Sequence, residues 1–171
     1  FNTFLIKSGD ELFIIHPPEK EYSKLINEVI SNFFLQFKFK RINIITGHVN
    51  PKIIETIKSI SLKFSNLAIT CSNPGSKLIS ELWNQKNPKL ETFIEQELPK
   101  INIVKKELNL ELENISLKLL PVATARWPGG LIVYEENQEI LLSEKIFSAH
   151  LASAEWSETN RISTETDRKH F

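Results

Sequence analysis

Several residue types are scarce in this sequence of 171 residues, and each scarcity excludes a class of protein. A single cysteine, Cys71, excludes an internal disulfide and any cysteine-based zinc site or iron–sulfur cluster. Only two aspartates, Asp10 and Asp167, are present. No run approaches the roughly 20 continuous apolar residues of a membrane-spanning helix, so no membrane span is expected. The 21 basic residues are balanced by 21 acidic ones, which gives no general attraction to nucleic acid.

What is present is typical of one globular domain, with 41% hydrophobic and 25% charged residues. The length is sufficient for a hydrophobic core. Methionine is absent even at the first position, and residues 167–171 have a helical pattern without a capping residue. We therefore expect a fragment of a longer protein. One free cysteine fits a reducing compartment, and we expect the protein to be cytoplasmic.

The hydrophobic pattern predicts alternating strands and helices, followed by strands alone. Asn50 and Pro51 have the pattern of an N-cap and a first helical residue. Together these elements predict a mixed α/β sandwich in one domain. The predicted strands are residues 2–7, 11–15, 41–46, 67–70, 101–104, 117–122, 131–134 and 139–143, and the predicted helices are 19–37, one from Pro51 and 77–83.

Three ordered segments carry the most specific pattern. Residues 46–53 read TGHVNPKI, so that a strand ends near a histidine and a helix follows at once, where a rigid scaffold can present metal ligands. Residues 125–134 read ARWPGGLIVY, and residues 140–150 read ILLSEKIFSAH. With the CSNP run at 71–74, these segments resemble the flavodiiron proteins, in particular those of oxygenic phototrophs. The resemblance extends over nearly the whole chain.

The resemblance implies a metallo-β-lactamase-like αββα fold, incomplete in this chain, with residues 1–171 as part of the oxygen-reductase domain. Flavodoxin-like and flavin reductase domains are expected beyond the C-terminus. The first segment is similar to the family's His-x-Glu-Pro-Asp-His, of which His48 and Pro51 remain. At the other ligand positions that the resemblance implies, the residues are Asn50, Lys52, Ile53, Arg126 and Lys145.

These substitutions predict a pocket without metal in this chain. An oxygen-reducing diiron site needs several carboxylates and neutral imidazoles. Of the mapped positions, His48 alone carries an iron-competent side chain, because Ile53 has no donor atom and Arg126 stays protonated. Glu144 is expected to point away from Lys145, since neighbours on a strand face opposite sides.

Each of these residues also has a purely structural interpretation. His48 can be a hydrogen-bonded residue at a strand end, and Lys52 and Lys145 can be solvated lysines. For Arg126 a role in the pocket is favoured, as an ion-pair partner or an anion contact. Trp127 is expected to pack at the pocket wall and Cys71 to be buried rather than nucleophilic. The remaining histidines, His16, His150 and His170, are interpreted as structural or as part of the tail.

Two functions follow from the resemblance. In the first, the whole protein is an NAD(P)H:oxygen oxidoreductase that passes electrons through FMN to oxygen, giving water in photoprotective electron transfer, while this fragment alone is inactive. In the second, the domain is a metal-free scaffold that pairs with a ligand-complete paralogue or binds an anion in a basic pocket.

The implied partners are another flavodiiron subunit, in a homo- or hetero-dimer, and NAD(P)H or a reduced carrier. The fragment itself is expected to bind no cofactor, FMN and diiron belonging to the full-length family. A hydrolase of the β-lactamase or glyoxalase type is disfavoured, because it would need the same lost ligands.

Overall fold

The computed structural model describes residues 2–85 and 96–146. In these residues nine strands form two sheets, and three α-helices and one short 3₁₀ helix connect the strands of the first sheet. No helix in these two ranges is long and apolar enough to cross a membrane. The strands are β1 (Phe4–Ser8), β2 (Glu11–Ile15), β3 (Arg41–Ile45), β4 (Leu67–Ser72), β5 (Lys100–Val104), β6 (Leu108–Glu111), β7 (Ser116–Pro121), β8 (Leu131–Glu135) and β9 (Ile140–Leu142). The α-helices are α1 (Ser23–Phe37), α2 (Pro51–Lys63) and α3 (Asn73–Trp83), and the 3₁₀ helix is Lys20–Tyr22.

The first sheet has the strand order β1-β2-β3-β4-β5. β1 and β2 form an antiparallel hairpin, and β2 to β5 are parallel. Each parallel pair is joined through a helix, and crossovers of one hand put successive helices on the same face. Apolar residues of α1, α2 and α3 accordingly pack with one face of β2, β3 and β4 in a single core.

The second sheet is an antiparallel meander with the order β6-β7-β8-β9. It covers the other face of the first sheet. Because strand side chains alternate between faces, each inner strand contributes residues to both cores. Leu12 and Ile14 point to the helices, while Phe13 and Ile15 belong to the core between the sheets. The described residues therefore form helix, sheet and sheet layers, which confirms the mixed α/β class.

The helix starts differ from the predictions for local reasons. The predicted helix at 19–37 begins at Ser23, because Lys20–Tyr22 forms the 3₁₀ helix. α3 begins at Asn73 rather than 77, since the Ser72 hydroxyl caps it by accepting from the Gly75 amide at 3.2 Å. β6 was not predicted. The helical pattern of 167–171 lies outside the described residues.

Gly47, next to His48, lies directly against the backbone at the start of β8. A Cβ atom at this position would lie 2.0 Å from the backbone oxygen of Leu131 at the start of β8. No side chain larger than hydrogen fits that space. The close approach of the two backbones fixes where the chain leaves β3 and hence where His48 is presented.

Candidate functional site

Four of the mapped residues gather at the carboxyl edge of the parallel strands, namely His48, Asn50, Lys52 and Lys145. His48 follows β3, Asn50 caps α2, and Glu19 precedes the 3₁₀ helix that follows β2. The carboxyl ends of parallel strands are the usual place for a site in open α/β sheets. The fold thus brings Glu19 to the segment around His48, although the sequence places them far apart.

Asn50 is the centre of a polar network. Its Oδ1 atom accepts a hydrogen bond from the Ile53 amide at 2.9 Å, which confirms the predicted N-cap of α2. Its Nδ2 atom then donates to Glu19 Oε1 and contacts His48 Nε2, each at 3.1 Å. Because Nδ2 can only donate, His48 Nε2 accepts and the ring proton lies on Nδ1. The Nε2 lone pair of His48 is therefore engaged by a protein group.

Glu19 lies between two lysines. Its Oε2 atom is 3.5 Å from Lys52 Nζ, and its Oε1 atom is 3.8 Å from Lys145 Nζ. Lys52 also contacts Glu21 at 2.5 Å, and 54% of its side chain is exposed. That exposed ion pair agrees with the structural interpretation of Lys52. Lys145 is only 16% exposed, so its interpretation as a solvated lysine is wrong.

Trp127 forms one wall beside this network. The indole meets the His48 ring edge-on, with 4.7 Å between the ring centroids. Lys145 Nζ lies 5.2 Å and Arg126 Cζ 5.6 Å from the Trp127 ring centroid, and both cations are at distances where an indole ring attracts them. Arg126 is exposed, so it flanks Trp127 at the surface, while Lys145 lies further inside.

Burial and charge decide the protonation of His48. Burial, assisted by the Lys145 ammonium and opposed by the Glu19 carboxylate, lowers the pKa of His48 to about 4. The imidazole is consequently neutral at pH 7. Neutrality agrees with the accepting role of Nε2 towards Asn50.

Glu144 does not point away from Lys145, so the prediction of opposite faces is wrong. Both residues follow β9 in a turn and line the same cavity. Glu144 has a φ of +55°, in the left-handed region, where the alternation of a strand does not apply. Burial raises the pKa of Glu144 to about 7, and Lys145 opposes that shift.

The other singled-out residues lie in the core or outside the described ranges. Ile53 is 2% exposed and packs with the helix-side core. Cys71 is buried, and burial raises the pKa of its thiol to about 12, as expected of a structural residue rather than a nucleophile. His16 is buried beside Leu142. His150 and His170 lie outside the described residues.

Glu19 is the site residue that the sequence analysis missed. It stands after two prolines, and no local pattern distinguishes it from other surface carboxylates near a helix start. Within residues 2–85 and 96–146, no group of three or more His, Cys, Asp or Glu side chains is placed to hold a metal ion. His48 and Glu19 therefore meet without a third such ligand in this part of the chain.

The fold and the arrangement of these segments define a β-lactamase-like domain, and the comparisons with known proteins agree. The model of the ODP family of β-lactamase-like domains matches residues 1–170. The chain belongs to that family.

Its relatives are flavodiiron proteins, which confirms the resemblance. Diflavin flavoprotein A 5 of Nostoc sp. strain PCC 7120 is 28% identical over 99% of this chain, which covers 28% of that protein. Diflavin flavoprotein A 3 of Synechocystis sp. strain PCC 6803 is 26% identical, and 27% of it is covered. The metal-soaked Flv1 flavodiiron core from Synechocystis matches 99% of this chain with a TM-score of 0.73 and 25% identity, and 39% of that chain is covered. The chain thus corresponds to the N-terminal part of proteins several times its length.

Proposed function

We propose that this chain is the front part of a flavodiiron-type flavoprotein and that its own pocket works without iron. The observation that carries the proposal is the position of Lys145. Its ammonium lies 3.8 Å from Glu19, and its side chain is largely buried beside Trp127, next to the neutral His48. A fixed cation there repels a second cation, and it occupies the carboxylate that an iron ion would need.

The donor set gives the same result. A diiron site needs several carboxylates and imidazoles around two ions. Here the Nε2 lone pair of His48 accepts from Asn50, and Glu19 is shared between Lys52 and Lys145. Asn50 donates and caps a helix instead of acting as an anionic ligand. The residues present do not fit a diiron group.

The whole protein is proposed to be an oxidoreductase that transfers electrons from NAD(P)H, or a reduced carrier, through FMN to oxygen. This proposal is supported by the family and by relatives that are named diflavin flavoproteins. Flavodoxin-like and flavin reductase domains would follow residues 1–171. In this scheme the domain acts as a scaffold in the cytoplasm, and the ligand-complete subunit of a hetero-dimer supplies the site of photoprotective oxygen reduction.

Iron content tests the proposal directly. The chain is reconstituted anaerobically with ferrous iron, desalted, and analysed for iron beside a ligand-complete flavodiiron protein treated in the same way. We expect iron near zero per chain, because Lys145 and the engaged His48 leave no set of ligands among residues 2–85 and 96–146. About two irons per chain, as in the control, would contradict the proposal and assign coordination to residues other than those mapped.

A further inference from the structure

The C-terminal ends of α1 and α2 expose a group of large apolar side chains. Each helix follows a strand of the parallel sheet, so both helices run in the same sense and end together at the amino edge of that sheet. The rings of Phe34 and Phe64, one from each end, have their centroids 6.0 Å apart. The exposed apolar side chains at these two ends are Phe34 (42%), Leu35 (79%), Phe37 (44%) and Leu62 (59%).

Lysines surround these apolar side chains. Lys38 ends α1, Lys63 is the last residue of α2, and the Nζ atom of Lys7 lies 5.7 Å from the centroid of the Phe37 ring. We call the four apolar side chains and these three lysines the helix-end patch. The segments 29–41 and 56–66 lack acidic residues, although the whole chain has no net charge, and their basic residues are Lys38, Lys40, Arg41, Lys58 and Lys63.

The acidic residues near this end do not cancel the charge of the patch. Lys40 and Arg41, at the start of β3, are compensated by Asp10 at 2.8 Å and by Glu11 at 3.8 Å. The Glu113 carboxylate accepts a hydrogen bond from a backbone amide of the turn between β1 and β2. Within residues 2–85 and 96–146, the two lysines at the helix ends form no ion pair. The patch therefore keeps a local excess of positive charge.

This composition fits an anionic lipid surface better than a protein partner. The centre of a protein–protein interface is depleted of charged residues, including lysine, whereas Phe37 and Leu62 each directly precede a lysine. A second copy of the chain would bring lysines against lysines. Anionic headgroups attract lysines while neighbouring apolar side chains enter the lipid, and the apolar stem of lysine suits that boundary. Favourable contact with a helix dipole can explain a lysine at a helix end, but not the exposed apolar side chains.

We propose that the helix-end patch binds this domain reversibly to anionic lipid membranes. The lysines contact the headgroups, and the apolar side chains enter the boundary between headgroups and acyl chains. The patch lies at the amino edge of the parallel strands and His48 at the carboxyl edge, so the bound domain turns the His48 site away from the lipid. The contact uses neither iron nor any residue of that site, so it can fail or succeed independently of the proposed function.

Sedimentation with lipid vesicles tests the proposal on the chain of 171 residues. Vesicles of equal parts phosphatidylcholine and phosphatidylglycerol are compared with vesicles of phosphatidylcholine alone. The salt concentration is then raised to about 1 M, where the screening length is only about 3 Å. We expect saturable binding to the anionic vesicles at low salt, and binding at least tenfold weaker to neutral vesicles or at high salt, because each lysine near an anionic surface contributes about fivefold. No binding to the anionic vesicles, or equal binding to both kinds, would overturn the proposal.

Two double variants locate the contact on the patch. Lys38→Glu with Lys63→Glu reverses the charges at the two helix ends, and Leu35→Ser with Leu62→Ser removes its two most exposed apolar side chains. We expect each double variant to weaken binding to the anionic vesicles at least tenfold. Unchanged binding by the leucine variant would show that no side chain enters the lipid and would contradict the proposal. Circular dichroism checks that the variants keep the fold.

Matched controls change the same residue types elsewhere. Lys105→Glu with Lys106→Glu alters two exposed lysines that follow β5 at the opposite edge of the sheet, and Leu25→Ser alters a side chain that is 58% exposed near the start of α1. Both controls should bind the vesicles as the unchanged chain does. Equal weakening by patch and control variants would contradict a localised contact. Analytical ultracentrifugation tests self-association, and a dimer lost in the leucine variant, with no vesicle binding, would make the patch an interface between copies and overturn the proposal.

Discussion

The imidazole of His48 depends on neighbours that come from three different parts of the chain. Asn50 fixes its tautomer, Lys145 and burial lower its pKa, and Glu19 partly opposes that shift. The residue type alone predicts a group that titrates near neutral pH. The surroundings instead keep the ring neutral over the physiological range.

An NMR titration of the His48 ring protons should therefore give a pKa of about 4 in place of the usual 6.5. Lys145→Gln should raise this pKa, because it removes the repelling ammonium, and Glu19→Gln should lower it further. The folded pKa lies below the unfolded one, so the stabilisation from neutral His48 is complete above pH 6.5 and is lost as the pH falls towards 4. A measured pKa near 6.5, unmoved by either variant, would contradict this account.

Individual helices and strands follow local chemistry where a capping residue or a clear period is present. α2 begins where Asn50 and Pro51 predict it. α3 begins earlier than its apolar period suggests, because Ser72 caps it and donates to the Gly129 backbone oxygen at 2.8 Å. β6 was missed since it is short and mostly exposed, and among the described strands it pairs only with β7. Its pairing partner, more than its own sequence, makes it a strand.

The contact of Gly47 with β8 gives a prediction for how the two sheets join. Gly47→Ala should lower the free energy of unfolding by about 1–3 kcal/mol or more, as overpacking of a tight contact does, because its Cβ would collide with the Leu131 backbone. Gly9→Ala serves as the comparison, since a Cβ there meets nothing within 4 Å and only its φ of +55° is unfavourable. Urea denaturation measures both. Equal losses for the two variants would mean that the Gly47 contact is not tight.

At the scale of the whole molecule, the first sheet is buried on both faces. Its helix-side core and its sheet-side core use alternate residues of the same strands. The inner strands consequently read as nearly continuous apolar runs, as parallel strands covered on both sides do. This is why the short isoleucine-rich strand β3 could be located from the sequence.

Ile45 tests the core between the sheets. It is fully buried there, and Ile45→Ala should lower the free energy of unfolding by about 2–5 kcal/mol because of the cavity left behind. Leu35→Ala, at a position that is 79% exposed, should change it by only about 0.5 kcal/mol or less. Thermal and urea unfolding of the two variants provide the comparison. Similar values would show that the second sheet is not packed on the first.

The sequence by itself determined the order of most strands and helices, the cap of α2 and the family resemblance, because these depend on hydrophobic period, capping chemistry and ordered motifs within short segments. The ligand substitutions at Asn50, Lys52, Ile53, Arg126 and Lys145 are also visible in the sequence, and their consequence for iron stays a prediction. Only the tertiary structure decided that Glu19 joins His48, that Lys145 is buried while Lys52 is exposed, and that Glu144 faces the same cavity as Lys145. Burial, ion pairing and pKa depend on which distant segments meet, and no local pattern contains that information.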